Sequence, residues 1–315
     1  MSPEETRSLA ESWTIHLEAE RKSPHTVRGY TDGLELYVAW CERNGRAVEF
    51  EQQPVKEFVV WQLDHGRADR STPGGNPKDR EGLEAATVVA RLRGIRRFSA
   101  WYAEELGEAD KLAGMRPPKL DDKVPDAITP EQFDALLATC KGRDFYDVRD
   151  RAIISLLMDT MTRAEELLSM RVSTTDARKR TSLIVKGKGG KGRVVAYSAQ
   201  AARDLDRYLR VRAKHRLASE DWLWLPIKRT ASARLEYGGL YVSLRRRAQR
   251  ADPPFRLTPH MLRRGGAIRW RRKGGSVTSL MALGGWTDIS MVQRYVRAAE
   301  TEIAVEEARR LFDGD

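Results

Sequence analysis

The stretch from Leu257 to Tyr295, LTPHMLRRGGAIRWRRKGGSVTSLMALGGWTDISMVQRY, limits the possible folds more than any other part of the chain. Thr258 is placed to cap a helix with Pro259 in its first turn, so His260 and Arg263, three residues apart, share one face. Between Arg256 and Lys273 stand six arginines (Arg256, Arg263, Arg264, Arg269, Arg271, Arg272) and no carboxylate. A second helix is expected from Ser276, broken at Gly284-Gly285. Trp286 follows, and Tyr295 lies nine residues further on.

The remaining composition narrows the class of protein. A chain of 315 residues is long enough for two domains with cores of their own. A net charge of +11 and a pI near 9.7 favour a polyanionic partner, a nucleic acid or an anionic membrane. No apolar run approaches a membrane span, and the start MSPEETRSLAES is acidic rather than signal-like, so no membrane partner is expected. Cys41 and Cys140 are too few and too far apart for a disulfide framework. They read as free buried thiols in a reducing cytoplasm. No Cys/His cluster has zinc spacing, so neither a metal nor another cofactor is expected.

Periodicity makes the chain mainly α with a small β-sheet (α+β). Ser2-Pro3-Glu4-Glu5 opens a first helix to about Glu20, with Leu9, Trp13 and Leu17 on one stripe. Ser23-Pro24 opens a second, ended by Asn44-Gly45, and Pro54 a third. The segment from Gly66 to Gly82 has almost no apolar residues and is expected to be a mobile loop. A fourth helix from about Ala85 to Glu105 turns Val89, Leu92, Ile95, Phe98 and Trp101 inward and presents Arg91, Arg93, Arg96 and Arg97 on its other face. Residues 1–115 therefore form a helical domain of four or five helices, 116–125 (RPPKLDDKVP) an extended linker, and 126–315 a second domain. In the second domain, helices are expected from the Thr129 capping box to Cys140 and from Tyr146 to Thr160. Thr181 to Tyr197 changes period as a β-hairpin does. Further helices follow at Ser198–His215, Leu240–Ala251 and Pro259–Lys273, with an amphipathic tail from Thr301 to Phe312.

Five boxes in order carry a family resemblance. Thr160-Met161-Thr162-Arg163-Ala164-Glu165-Glu166-Leu167 is similar to T-G-[LMY]-R-x-[SA]-E-L. Gly187-Lys188-Gly189-Gly190-Lys191-Gly192-Arg193 is similar to G-K-G-x-K-x-R. His260-x-x-Arg263, then Leu283-Gly284-x-Trp286, then Tyr295 complete the pattern. Together they resemble the tyrosine recombinase (phage integrase) family over nearly the whole chain. The resemblance implies a core-binding domain followed by a catalytic domain. It assigns Arg163, Lys188, His260, Arg263, Trp286 and Tyr295 to the active site, with Tyr295 forming a 3′-phosphotyrosyl link and releasing a 5′-hydroxyl. It also implies double-stranded DNA as partner and a homo-tetramer on two synapsed sites, with a monomer or weak oligomer away from DNA. The tail helix would dock on a neighbouring protomer, or alternatively fold back on its own domain. The expected location is the cytoplasm, at the nucleoid.

The residue types suit the chemistry. Attack at a phosphodiester builds negative charge, which arginine forks such as Arg163 and Arg263 match at two oxygens. Lys188 can protonate the departing oxygen, with Lys186 and Lys191 as competitors, and His260 is usable near pH 7. The Trp286 indole is a donor only, so it can hold an oxygen but relay no proton. Tyr295 needs surrounding positive charge to act as nucleophile. Arg28, Arg91, Arg93, Arg96, Lys191, Arg193 and Arg264 are expected to contact DNA. The same hairpin turn is literally G-x-G-x-x-G, but the strand-like Arg193-Val194-Val195-Ala196-Tyr197 follows where a dinucleotide site needs a helix. A Walker A loop fails because Gly189 stands where Ser or Thr must follow Lys188.

Four departures from the family pattern bear on site geometry. They are Met161 for glycine, Glu165 for a small residue, Arg264 where histidine often follows the second arginine, and Gly285 before Trp286. Two other readings fit the residues: a type IB topoisomerase, and a non-catalytic DNA-binding relative. Covalent trapping on a nicked duplex separates the binder from the enzymes, and recombination between two sites separates recombinase from topoisomerase.

Overall fold

The computed structural model describes residues 1–65, 82–120, 126–185, 192–227 and 232–313. Most of the expected mobile loop, part of the linker, and the hairpin turn with Lys186, Lys188 and Lys191 lie outside the described residues. The chain divides into two compact units, Met1–Asp122 and Lys123–Asp315.

The first unit contains four helices among the described residues: α1 (Pro3–Ala19), α2 (Pro24–Arg43), α3 (Gln52–His65) and α4 (Ala85–Leu106). Their starts follow from local chemistry. Ser2 and Glu5 form a reciprocal capping box on α1, and the Ser23 hydroxyl accepts from the Thr26 N–H at the start of α2. The core is aromatic, with Trp13, Tyr37, Phe58 and Phe98 all fully buried. Helices α2 and α4 meet backbone to backbone. A Cβ on Gly33 would stand 2.6 Å from the Arg91 carbonyl oxygen, and one on Gly94 2.3 Å from that of Tyr30.

The second unit holds α5 (Pro130–Ala138), α6 (Phe145–Thr160), α7 (Ala164–Leu168), α8 (Ala199–Arg212), α9 (Tyr237–Arg250), α10 (Pro259–Arg272), α11 (Val277–Gly284) and α12 (Ile289–Asp313). Strands β1 (Thr175–Asp176), β2 (Thr181–Ile184) and β3 (Arg193–Ala196) make one antiparallel sheet in the order β1-β2-β3. The hairpin register pairs Ser182 with Val195 and Ile184 with Arg193. The five-residue α7 and the two-residue β1 were not expected from periodicity, because neither is long enough to show a period.

Helix α6 is the axis of this unit. Ile153, Ile154, Leu156, Leu157 and Met158 are consecutive or nearly so, and all are buried, which marks a helix covered on every side. Helix α8 packs on it, and α10 approaches it closely through Gly266, while the neighbouring Gly265 packs on Ile128. A Cβ on Gly266 would meet the Met158 carbonyl oxygen at 2.1 Å, and one on Gly265 the Ile128 side chain at 2.5 Å. A smaller apolar cluster of Met161, Ala267, Leu280, Trp286, Val292 and Val296 joins α10, α11 and α12.

The tail differs from expectation. Thr301 to Phe312 is no separate helix but the continuation of α12, which carries Tyr295 in its second turn. Ala299 and Ile303 are buried, whereas Leu311 and Phe312 are 81% and 86% exposed. The apolar side of the tail is therefore uncovered at its end. No described helix is long and apolar enough to cross a membrane.

Candidate active site

The site is assembled where α6 ends and α7 begins. Met161 terminates α6 in the left-handed conformation, with φ 52°, and the chain then turns so that Arg163 caps α7. The family motif usually has glycine at Met161, which is the residue this backbone favours. Methionine is retained here with its side chain buried in the α10–α12 cluster.

Arg163 is fixed by Glu166, one turn on. Its backbone N–H donates to Glu166 Oε2 at 2.8 Å and its Nη1 to Oε1 at 3.0 Å. Its Nη2 donates to the Gly285 carbonyl at 3.1 Å, and its side chain remains 33% exposed. Arg193, from β3, grips the other side of the same carboxylate. It donates through Nη2 to Oε2 at 2.7 Å and through Nη1 to Oε1 at 3.1 Å. Its Nε donates to the Leu283 carbonyl at 2.8 Å and Nη2 to that of Gly284 at 3.3 Å. The two guanidiniums thus satisfy the carbonyls that the end of α11 leaves unpaired, where cations are favoured. Burial pushes the Glu166 carboxyl up, but hydrogen bonds from Arg193 and the Arg163 backbone outweigh it. The net pKa lies below the ordinary glutamate value.

Arg263 is 4% exposed and donates through Nη1 to the Met161 carbonyl. Its Cζ sits 3.9 Å from the centroid of the Trp286 ring. Burial, and then the like charge of Arg163, pull its guanidinium down to about 9, which leaves it charged at neutral pH. The Trp286 ring is itself buried, with its centroid 6.2 Å from that of Tyr295 at an interplanar angle of 58°. The glycines before Trp286 are required by this turn. Gly285 has φ 69°, and a Cβ on Gly284 would fall 1.8 Å from the Trp286 ring. His260 stands one turn before Arg263 at an accessible position. Partial enclosure of its ring, and then the charges of Arg264, Arg263 and Arg163, hold its pKa below the ordinary histidine value.

Arg163, Arg263, Trp286 and Tyr295 are therefore linked in one cluster, with His260 on the helix that carries Arg263. Lys188 and Lys191 lie outside the described residues. Arg193, expected to face DNA, is an internal residue instead. Its side chain is 15% exposed and its donors are turned to Glu166 and the α11 carbonyls. Arg264 is partly buried over Tyr295 and donates to the Asp126 carbonyl. In the first unit Arg28 and Arg93 are exposed, and Arg91 and Arg96 are half-buried. Arg91 donates to Gln62 Oε1 at 2.9 Å. Sequence reasoning missed Glu166 as the centre of the cluster. The signal was its three-residue spacing from Arg163 at a helix start, the spacing of a capping box.

Solved structures share this architecture. A XerH site-specific recombinase bound to a palindromic difH substrate aligns with a TM-score of 0.70 at 16% identity, over 99% of this chain and 85% of that one. A lambda integrase (75-356) dimer bound to a COC′ core site gives 0.67 at 15%, over 92% and 94%. Among curated relatives, tyrosine recombinase XerD of Mycobacterium tuberculosis is 29% identical over 95% of this chain and 94% of its own length. XerA of Thermococcus kodakarensis is 26% identical over 97% and 94%. The fold and these relatives are those of a site-specific tyrosine recombinase, an enzyme that breaks and rejoins DNA. Residues 126–302 match the model of the phage integrase family, and the chain belongs to that family.

Proposed function

We propose that Tyr295 attacks a DNA phosphodiester, forming a 3′-phosphotyrosyl link and releasing a 5′-hydroxyl. The observation that carries this reading is the convergence of two arginines on the turn before Tyr295: the buried Arg263 lies over the Trp286 ring that packs beside Tyr295, and the part-exposed Arg163 donates to the carbonyl of the preceding Gly285. Arg163 and Arg263 hold the non-bridging oxygens with fixed donors, where charge accumulates in the transition state. Trp286 adds an N–H donor. His260, kept neutral near pH 7, can take or give a proton. Lys188 is the general acid for the leaving oxygen. The bond energy kept in the tyrosyl ester allows rejoining without a nucleotide or a metal.

Residues 1–115 are the core-binding domain of this reading, 116–125 the linker, and 126–315 the catalytic domain. Double-stranded DNA with specific sites is the substrate; the related XerH is bound to a palindromic difH substrate and the lambda integrase to a COC′ core site. Arg28, Arg93 and Arg96 are the contacts proposed for the first domain. The working assembly is a homo-tetramer on two synapsed sites, and the exposed Leu311 and Phe312 are its candidate protomer contacts.

A suicide substrate with a nicked strand tests the nucleophile. The wild type should give a covalent protein–DNA adduct, and Tyr295→Phe should bind the same site and give none. An adduct with the phenylalanine variant moves the nucleophile elsewhere.

A further inference from the structure

Arg264 follows the buried Arg263 in sequence but serves a different neighbour. Its Cζ lies 5.1 Å from the centroid of the Tyr295 ring, inside the ~6 Å range over which a guanidinium is attracted to an aromatic face. Nη1 donates to the Asp126 carbonyl at 3.1 Å, while the buried Nε has no hydrogen-bond partner. A buried unpaired donor is uncommon and unfavourable. The side chain is nevertheless held there, between the strap of chain at Asp126 and the phenol. Histidine, which often occupies this place in the family pattern, is shorter and uncharged near pH 7.

From α10, the helix packed against Tyr295, Arg264 lies over the ring and the buried Arg263 acts on it through its charge, with His260 one turn further back, and on α12 Arg294 and Arg297 flank Tyr295 in the chain. Helix α11 has no titratable side chain, and Asp288, in the turn before α12, accepts from the Ser290 N–H. On α12 itself the residues one turn away are Met291, Val292, Ala298 and Ala299.

We propose that Arg264 is a positioning residue for the nucleophile. It pins the face of the Tyr295 ring and supplies a fixed positive charge beside the phenol as it becomes phenolate-like. This rests on the reading of Tyr295 as the nucleophile. Arg264 also stands second, after burial, among the causes that keep His260 neutral, so one side chain favours the working charge state of both groups.

The test is single-turnover cleavage of a nicked suicide half-site at saturating protein, from about pH 6 to about pH 9, with half-site affinity measured alongside. Arg264→Ala should bind the half-site but cleave about tenfold more slowly near pH 7. The rising alkaline limb of its rate should move to higher pH. Arg264→Lys should restore the position of that limb, because the charge returns, without restoring the full rate, because the flat stacking surface does not. If Arg264→Ala proves unfolded by circular dichroism, Arg264→His carries the same comparison, since its ring is neutral over the alkaline limb. A second readout uses protein without DNA and tyrosine labelled with carbon-13 at Cζ. The Tyr295 signal, assigned by its loss in Tyr295→Phe, should move once Arg264 no longer lies over the ring. Superposable rate profiles or an unmoved Tyr295 signal overturn the proposal. So does a defect confined to half-site affinity, which would make Arg264 a phosphate contact. An adduct in Tyr295→Phe is a distinct outcome: it removes the nucleophile reading itself, and this proposal with it.

Discussion

Nη2 of Arg193 lies 2.7 Å from Oε2 of Glu166, a buried ion pair that ties the returning strand of the hairpin to the first turn of α7. The same carboxylate receives Arg163, and both arginines continue to the last carbonyls of α11. Glu166 therefore neutralises two like charges that stand against one helix end.

Replacing it leaves those charges uncompensated. Glu166→Gln should destabilise the second domain by about 3–5 kcal/mol, the usual result of removing one partner from a buried pair, and should slow cleavage through misplacement of Arg163. The effect has a defined pH sign. The folded pKa is below the ordinary value of 4.5, so the stabilisation is complete above that value and is lost as pH falls through the folded pKa. Melting curves of wild type and variant should converge on acidification below pH 4.5. A constant gap across that range excludes this role for the carboxylate.

His260 should titrate below its ordinary value of 6.5, because partial enclosure and the charges of Arg264, Arg263 and Arg163 all oppose protonation. The unfolded chain then takes up a proton that the folded one refuses, so this group makes stability fall as pH drops below 6.5. The acidic limb of cleavage should lie below 6.5 as well. Nitrogen-15 NMR of the imidazole gives the midpoint directly, and a value at or above 6.5 contradicts the argument.

Met161→Gly sets two effects against each other. Relief of a left-handed non-glycine backbone is worth roughly 1–2 kcal/mol, and loss of a buried methionine side chain costs about 2–5 kcal/mol. Met161 is 1% exposed and packs in the α10–α12 cluster, so the cavity should dominate and the variant should lose about 1–3 kcal/mol. Urea unfolding decides the sign, and a more stable variant would show that strain outweighs packing here.

Arg163→Lys and Arg263→Lys each keep a charge but lose a fork. Arg263 spends one donor on the Met161 carbonyl and stacks its plane on Trp286. Lysine can do one or the other, but not both. Each change should slow single-turnover cleavage by about a hundredfold or more. Near-normal rates in both would remove the clamp from the mechanism.

Because α12 buries Ala299 and Ile303 and exposes Leu311 and Phe312, the informative change is at the tip rather than a deletion of the whole tail. Leu311→Ser with Phe312→Ser should leave the melting temperature and half-site binding unchanged, since neither side chain is buried by its own domain. Cooperative filling of a full site should weaken. A gel-shift titration comparing half and full sites reads this, and unchanged cooperativity would show that the tip makes no protomer contact.

Much of this site was legible in the sequence because its residues come with local grammar. Thr258-Pro259 announces α10, and the fixed offsets from His260 to Tyr295 follow from helix and turn lengths. The hairpin was legible for the same reason, through the change of period at Thr181. What was not legible depends on contacts across long stretches of chain. Arg193 looks like a basic hairpin residue meant for DNA, and only folding shows that Glu166, 27 positions earlier, takes its charge. Arg264 reads as one more arginine in a basic run until α12 lays Tyr295 beneath it. The tail carries a helical pattern whether it continues α12 or starts afresh, so periodicity could not tell the two apart.

Gly266 sets the seat of α10 on α6, its backbone close against the Met158 carbonyl with no side chain between them. Side-chain packing has slack: rotamers hop, and methyl groups yield by tenths of an ångström. Two backbones in contact have almost none. The distance between the loop that presents Arg163 and the helix that presents Arg263 is thus a hard stop, set like the jaw width of a caliper. Evolution can exchange the residues that line such a jaw more freely than it can add a single methyl group at its hinge.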